Sequence, residues 1–188
     1  MDALEALSRS EVEILARIDQ LTDGHWNLPT VCGDWAVDEL VHHLVSGARV
    51  AVVGLSGASK ERVMESVDEP IDGDLVAALR TALADHADAM RAPGAMEMTV
   101  HYPTIDMPGA QLLGFRILDL TMHAWDLSRS LGFDESLDAD LVAWTWDWIQ
   151  PIAPVIDRIG MFGDGPSGAL TEADPLDRRL IDLTGRRP

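Results

Sequence analysis

Apolar residues recur three and four positions apart along most of this chain, and glycine or proline ends almost every such stretch. That period places them on one face of a helix, and a helix with one apolar face must bury it against another element. From about Asp2 to Leu21, residues Leu4, Leu7, Ile14, Leu15, Ile18 and Leu21 share a face that Glu11 interrupts. Asp23-Gly24, Pro29 and Gly33 then mark a loop up to Asp34, the expected cap of a second helix reaching about Leu55. The charged connector Lys60 to Asp72 has room for a short helical turn. A third helix is expected from about Gly73 to Arg91, stopped by Pro93-Gly94, and a fourth from near Pro108 to Leu131-Gly132. A fifth runs from about Leu137 to Gln150, where Pro151 and Pro154 break it before a further turn towards Ile159. A last short helix is expected around Pro175 to Leu183. Only Met96 to Asp106 alternates, weakly, and Pro103 limits it to a short extended piece or hairpin. The pattern predicts an all-α fold, an up-and-down four-helix bundle with extra short helices, as a single domain over residues 1–188.

Composition narrows the function classes. Hydrophobic residues make up 47% of the chain, which excludes a disordered protein. Cys32 is the sole cysteine, so no internal disulfide forms. Thirty-two acidic residues against 14 basic ones give a net charge of −18, a surface that repels phosphate backbones and anionic lipid. Nucleic acid and membrane are therefore not expected as partners. Met1 to Ser10 lacks the basic and apolar regions of a signal peptide, so a cytoplasmic location is expected. The chain contains no phosphate loop, dinucleotide fingerprint or nucleophile elbow.

The candidate chemistry lies on the second and fourth helices. Periodicity separates the adjacent histidines His42 and His43. His42 shares a polar face with Asp38, Glu39, Ser46 and Arg49, whereas His43 shares a small, apolar face with Ala36, Leu40, Gly47, Val50 and Gly54. His43 is thus expected to point inward and His42 into water. An inward histidine is more often a satisfied core residue than a ligand, but Gly47 leaves room beside this one. On the fourth helix, Asp119 and His123 stand four apart and so meet on one face. Two ligands at that spacing can chelate one ion, as in H-E-x-x-H helices. With His43 they make two imidazoles and a carboxylate, a set that suits zinc, nickel, iron or manganese, zinc first. The same stripe, Arg116, Asp119, His123, Asp126 and Ser130, also reads as the solvent face of an amphipathic helix, with Asp119 and His123 as an exposed ion pair. Glu11 is a candidate to orient a ligand and Arg116 to steady an anion. Cys32 precedes a helix N-terminus, but with no base nearby in sequence it is read as structural.

Three segments carry a family resemblance. Pro29-Thr30-Val31-Cys32-Gly33-Asp34-Trp35, followed by Val37, Leu40 and His43-Leu44-Val45, resembles the start of the actinobacterial branch of the mycothiol-dependent maleylpyruvate isomerase-like, DinB-like superfamily. His123-Ala124-Trp125-Asp126-Leu127 resembles its second signature, and Pro175-Leu176-Asp177 to Leu183-Thr184-Gly185-Arg186-Arg187-Pro188 its C-terminal end. The resemblance implies a four-helix bundle holding one metal, with the first family histidine at His43, the last at His123, and the middle ligand, commonly Glu or His, at Asp119. It also implies mycothiol as cosubstrate. The extra C-terminal domain of the maleylpyruvate isomerases themselves is not expected here.

These readings converge on a metal- and thiol-dependent transferase or isomerase acting on a small-molecule electrophile. The alternatives are a non-enzymatic metal- or ligand-binding stress-response protein on the same bundle and an iron oxygenase using the same two-histidine, one-carboxylate set. A homodimer is expected, because Trp144, Trp146 and Trp148 and the flank Leu118, Met122 and Trp125 exceed what one small core needs.

Overall fold

The computed structural model describes residues 1–158 and 165–188. Two compact units divide it, residues 2–135 and residues 136–188. The first unit is built on α1 (Ala3–Ile18), α2 (Val37–Leu55), α4 (Leu75–Arg91) and α5 (Gly109–Leu131), with the short α3 (Lys60–Val67) between α2 and α4. The strands β1 (Thr99–Val100) and β2 (Met107–Pro108) pair antiparallel between α4 and α5, Thr99 opposite Pro108 and Val100 opposite Met107. Pro103 falls in the turn, where its missing N–H costs no ladder bond. Among the described residues the fold is all-α apart from this hairpin, and the first unit is a four-helix bundle.

Each helix starts and stops for a local reason. Asp2 caps α1 by accepting from Glu5 N–H at 2.8 Å, and Asp74 caps α4 through Val76 and Ala77 N–H. The expected cap of α2, Asp34, lies outside the helix. The Glu39 carboxylate reaches back to Ala36 N–H at 2.8 Å instead, and α2 begins at Val37. Gly132, at φ 70°, closes α5 in the left-handed conformation that a side chain disfavours. Gly109 opens α5 against the 92–98 loop, where a Cβ would lie 1.8 Å from the Ala95 carbonyl oxygen.

The bundle core is apolar: Leu7 and Ile14 of α1, Leu40 and Leu44 of α2, Leu79 and Met90 of α4, and Leu113, Ile117 and Leu120 of α5 are fully buried. Among the four long helices of this unit, α1 packs with α5, α5 with α2, α2 with α4, and α4 with α1. Helices consecutive in sequence, α1 with α2 and α4 with α5, therefore lie diagonally. The long connectors 19–36 and 92–108 make those crossings, and the first of them carries the candidate site's outer wall.

In the second unit, α6 (Ala139–Ile149), α7 (Ala153–Arg158) and α8 (Leu176–Leu183) follow the expected stretches, with Asp138 capping α6 through Leu141 N–H. Helix α8 packs on α6, and the Arg179 guanidinium sits over the Trp146 ring at 4.5 Å. The expected turn reaches Arg158 as α7; Ile159 lies outside the described residues. No helix among the described residues is long and apolar enough to cross a membrane.

Candidate metal centre

Helix α5 turns its polar stripe inward. Arg116 is 3% exposed, Asp126 is fully buried and His123 is buried, so the solvent-face reading of this stripe fails. Leu118, Met122 and Trp125 are buried as well, which leaves α5 without a broad face for water. The buried polar groups consequently have to satisfy one another.

Asp119 and His123, one turn apart, meet His43 from α2. The Asp119 Oδ1 atom lies 3.3 Å from His43 Nε2 and 3.3 Å from His123 Nε2. The two imidazole rings are 5.1 Å apart, edge to face. His42, beside His43 in sequence, is exposed. Ligand bonds of about 2.0–2.1 Å at tetrahedral angles put neighbouring donor atoms roughly 3.3 Å apart. Asp119 Oδ1 thus stands at that separation from each imidazole nitrogen, and the three donor atoms lie within 4.8 Å of one another. The His43 side chain is 37% exposed, which leaves an approach from solvent.

A second cluster grips the far side of His123. Asp126 Oδ2 is 2.8 Å from His123 Nδ1, and the Cys32 thiol donates to the same oxygen at 3.2 Å, with Sγ 3.7 Å from Nδ1. The 2.8 Å spacing is that of a charge-assisted hydrogen bond rather than of two ligands on one ion. Asp126 therefore holds the proton on Nδ1 and aims Nε2 at Asp119 and His43, as carboxylates do behind ligating histidines.

Electrostatics support the same polarity. Burial pushes the Asp119 carboxyl up, but the Arg116 guanidinium, His123 and the His43 hydrogen bond overrule it and hold the group well below the usual carboxylate range. Burial pushes His123 down, but the Asp119 charge and the bonds to Asp119, Asp126 and Cys32 raise it well above the ordinary histidine value. A divalent ion held on Nε2 would take the place of the proton there and release it.

Arg116 Nη1 donates to Asp119 Oδ2 at 2.8 Å and Nη2 to the Leu44 carbonyl at 3.4 Å. Gly47 leaves it room in this position, since a Cβ there would stand 2.4 Å from Nη1. The guanidinium is thus committed to Asp119 from behind. Glu11, the other candidate for a supporting role, has Arg91 as its charged neighbour, and burial raises its carboxyl to about 7.

The 19–36 connector closes the site. An isolated bridge joins Pro29 to Ala36, and the Thr30 N–H and hydroxyl both donate to the Trp35 carbonyl, at 2.9 and 2.8 Å. Val31 N–H donates to Ser130 Oγ at 2.9 Å, pinning the loop to α5. Trp35 lies with its ring centroid 4.9 Å from that of His43 and 6.4 Å from that of His123. Sequence reasoning leaves three of these residues without a role. Asp126 stands three after His123, a helical spacing that would have found it. Cys32 and Trp35 carry no spacing signal, because the connector's fold brings them in.

The profile of the mycothiol maleylpyruvate isomerase N-terminal domain matches residues 7–128, which contain every residue of both clusters. The chain belongs to this family. Two uncharacterized proteins of Mycobacterium tuberculosis, from strains CDC 1551 / Oshkosh and ATCC 25618 / H37Rv, are each 29% identical over 179 residues, 95% of this chain and 91% of the relative. They agree with an actinobacterial branch of the family. No solved structure matches the chain.

Proposed function

We propose that this protein binds one divalent metal, zinc first, through His43, Asp119 and His123, and uses it to activate mycothiol for transfer to an electrophile or for a thiol-assisted isomerisation. The observation that carries the reading is the pair of 3.3 Å separations from Asp119 Oδ1 to the two imidazole Nε2 atoms. Membership of a mycothiol-related family supports the choice of thiol. His43, Asp119 and His123 would hold the cation, which would supply Lewis acidity and favour the thiolate form of a bound thiol near neutral pH.

The chain's own residues do the rest. Arg116 keeps Asp119 ionised and aimed, Asp126 sets the His123 tautomer, and Trp35 shields the imidazoles from bulk water. The half-exposed His43 marks the side from which a small molecule enters. A homodimer is also proposed, now resting on the partly exposed Trp144, Trp146 and Trp148, because the α5 flank is already buried within one chain.

The test follows thiol consumption across a panel of electrophiles, comparing wild type with His43→Ala and Cys32→Ser. Turnover is expected in wild type, abolished in His43→Ala and retained in Cys32→Ser. Equal rates for wild type and His43→Ala remove the metal from the mechanism. Loss in Cys32→Ser alone moves the chemistry to the protein thiol. No turnover in any variant despite bound metal makes the protein a binding module.

A further inference from the structure

The surroundings of the candidate centre select what can approach it. Trp35 is 37% exposed while its ring lies against His43, so one part of the indole covers a ligand residue and the rest faces the approach. The same stretch exposes Leu28 and Val31, at 42% and 47%. The loop is held by the Pro29–Ala36 bridge, the Thr30 bonds to Trp35 and the Val31 bond to Ser130, so these apolar groups are presented rather than trailing.

The charges beside this wall are negative. Asp34, Asp38 and Glu39 are exposed within four positions of Trp35. The N–H groups that open α2, which elsewhere favour an anion, are occupied: Glu39 Oε2 takes Ala36 N–H and Asp38 Oδ1 takes Glu39 N–H. Arg116, the cation nearest the three donors along α5, is buried behind Asp119, with Nη1 on Asp119, Nη2 on the Leu44 carbonyl and a buried Nε that no side chain or carbonyl meets. An anionic ligand would meet the Asp34, Asp38 and Glu39 carboxylates on entry, and the Arg116 charge inside already faces the Asp119 carboxylate.

We infer that Trp35 is a specificity-determining residue of this site and that the ligand entering beside His43 is uncharged and carries a ring or other flat apolar face that packs on the indole. The inference rests on the metal- and thiol-binding reading above, and it adds the chemical class of the group next to the thiol. Both the carbon face of a neutral sugar and an aromatic ring fit this description; a thiol bearing a carboxylate does not. An aromatic contact of this kind is worth about three- to tenfold in affinity.

The test uses the cobalt-loaded protein and reads the cobalt absorption bands rather than turnover. Benzyl mercaptan, 2-mercaptoethanol and thioglycolate are titrated into wild type, Trp35→Ala and Trp35→Phe, with a neutral thiosugar as a fourth arm to separate sugar from aromatic recognition. Wild type is expected to bind the ring-bearing thiols more tightly than thioglycolate. Trp35→Ala is expected to lose about three- to tenfold more affinity for the ring-bearing thiols than for 2-mercaptoethanol. Trp35→Phe should retain most of the preference, which separates a lost aromatic face from a misfolded loop. Unchanged affinities in Trp35→Ala, or thioglycolate binding tightest in wild type, overturn the inference. Cobalt bands that form normally but respond to no thiol overturn the thiol reading as well, and band formation itself shows that the ion is in place.

Discussion

Two ionisable side chains other than the donors, one fully buried and one half-buried, give the protein opposing responses to pH. His86 of α4 is fully buried with neither ring nitrogen hydrogen-bonded, and burial, aided by the Arg116 charge, lowers it to about 3. Between that value and the ordinary histidine value near 6.5 the unfolded chain binds the extra proton, so stability rises with pH across this window and falls on acidification. At about 1.4 kcal/mol per pH unit the full effect is a few kcal/mol. Glu11 has the opposite sign: raised from 4.5 to about 7, it favours the folded state while protonated and loses that contribution as pH rises through 7. Urea unfolding of the metal-free protein at several pH values checks both. His86→Leu should flatten the acid limb between pH 6.5 and 3, and Glu11→Gln should raise stability at pH 8. An unchanged acid limb in His86→Leu would mean that His86 titrates normally. Neither shift was legible in sequence, since both depend on which helix covers the group. The inward turn of His43 was legible, because Leu40 and Gly47 flank it at helical spacing while His42 falls among polar residues.

At the scale of the element, α2 and α5 are fitted to each other through one missing side chain. Gly47 gives up its Cβ to the Arg116 guanidinium, and Arg116 in turn holds Asp119. Gly47→Ala should push the guanidinium off Asp119, destabilising the metal-free bundle by about 1–3 kcal/mol and weakening metal binding. Chemical denaturation and metal competition measure the two effects, and a Gly47→Ala variant matching wild type in both would show that Arg116 relocates freely. The helices themselves could be read from sequence, because a 3.6-residue apolar period and glycine or proline stops are local signals. The start of α2 could not, since its cap comes from the Glu39 side chain rather than from Asp34. The diagonal placement of α1 and α2 was hidden for the same reason that Cys32 and Trp35 were: it depends on the path of the 19–36 connector, which no periodicity encodes.

At the scale of the whole molecule, the apolar core of the first unit is complete without an ion, while the donors sit on its polar flank. A metal that binds the folded state and not the unfolded one should raise the melting temperature by mass action, and a chelator should lower it while helicity at room temperature persists. Circular dichroism with and without chelator follows both; loss of helicity on chelation would make the ion structural and count against catalysis. The central claim is that His43, Asp119 and His123 together hold one divalent ion. Cobalt titration of the metal-free protein, read by its absorption bands and by bound metal per chain, tests it most directly. One ion per chain with tetrahedral bands is expected in wild type and His42→Ala, and neither in His43→Ala nor in His123→Ala. Metal retained by His43→Ala and lost by His42→Ala, or no binding by wild type, would contradict it.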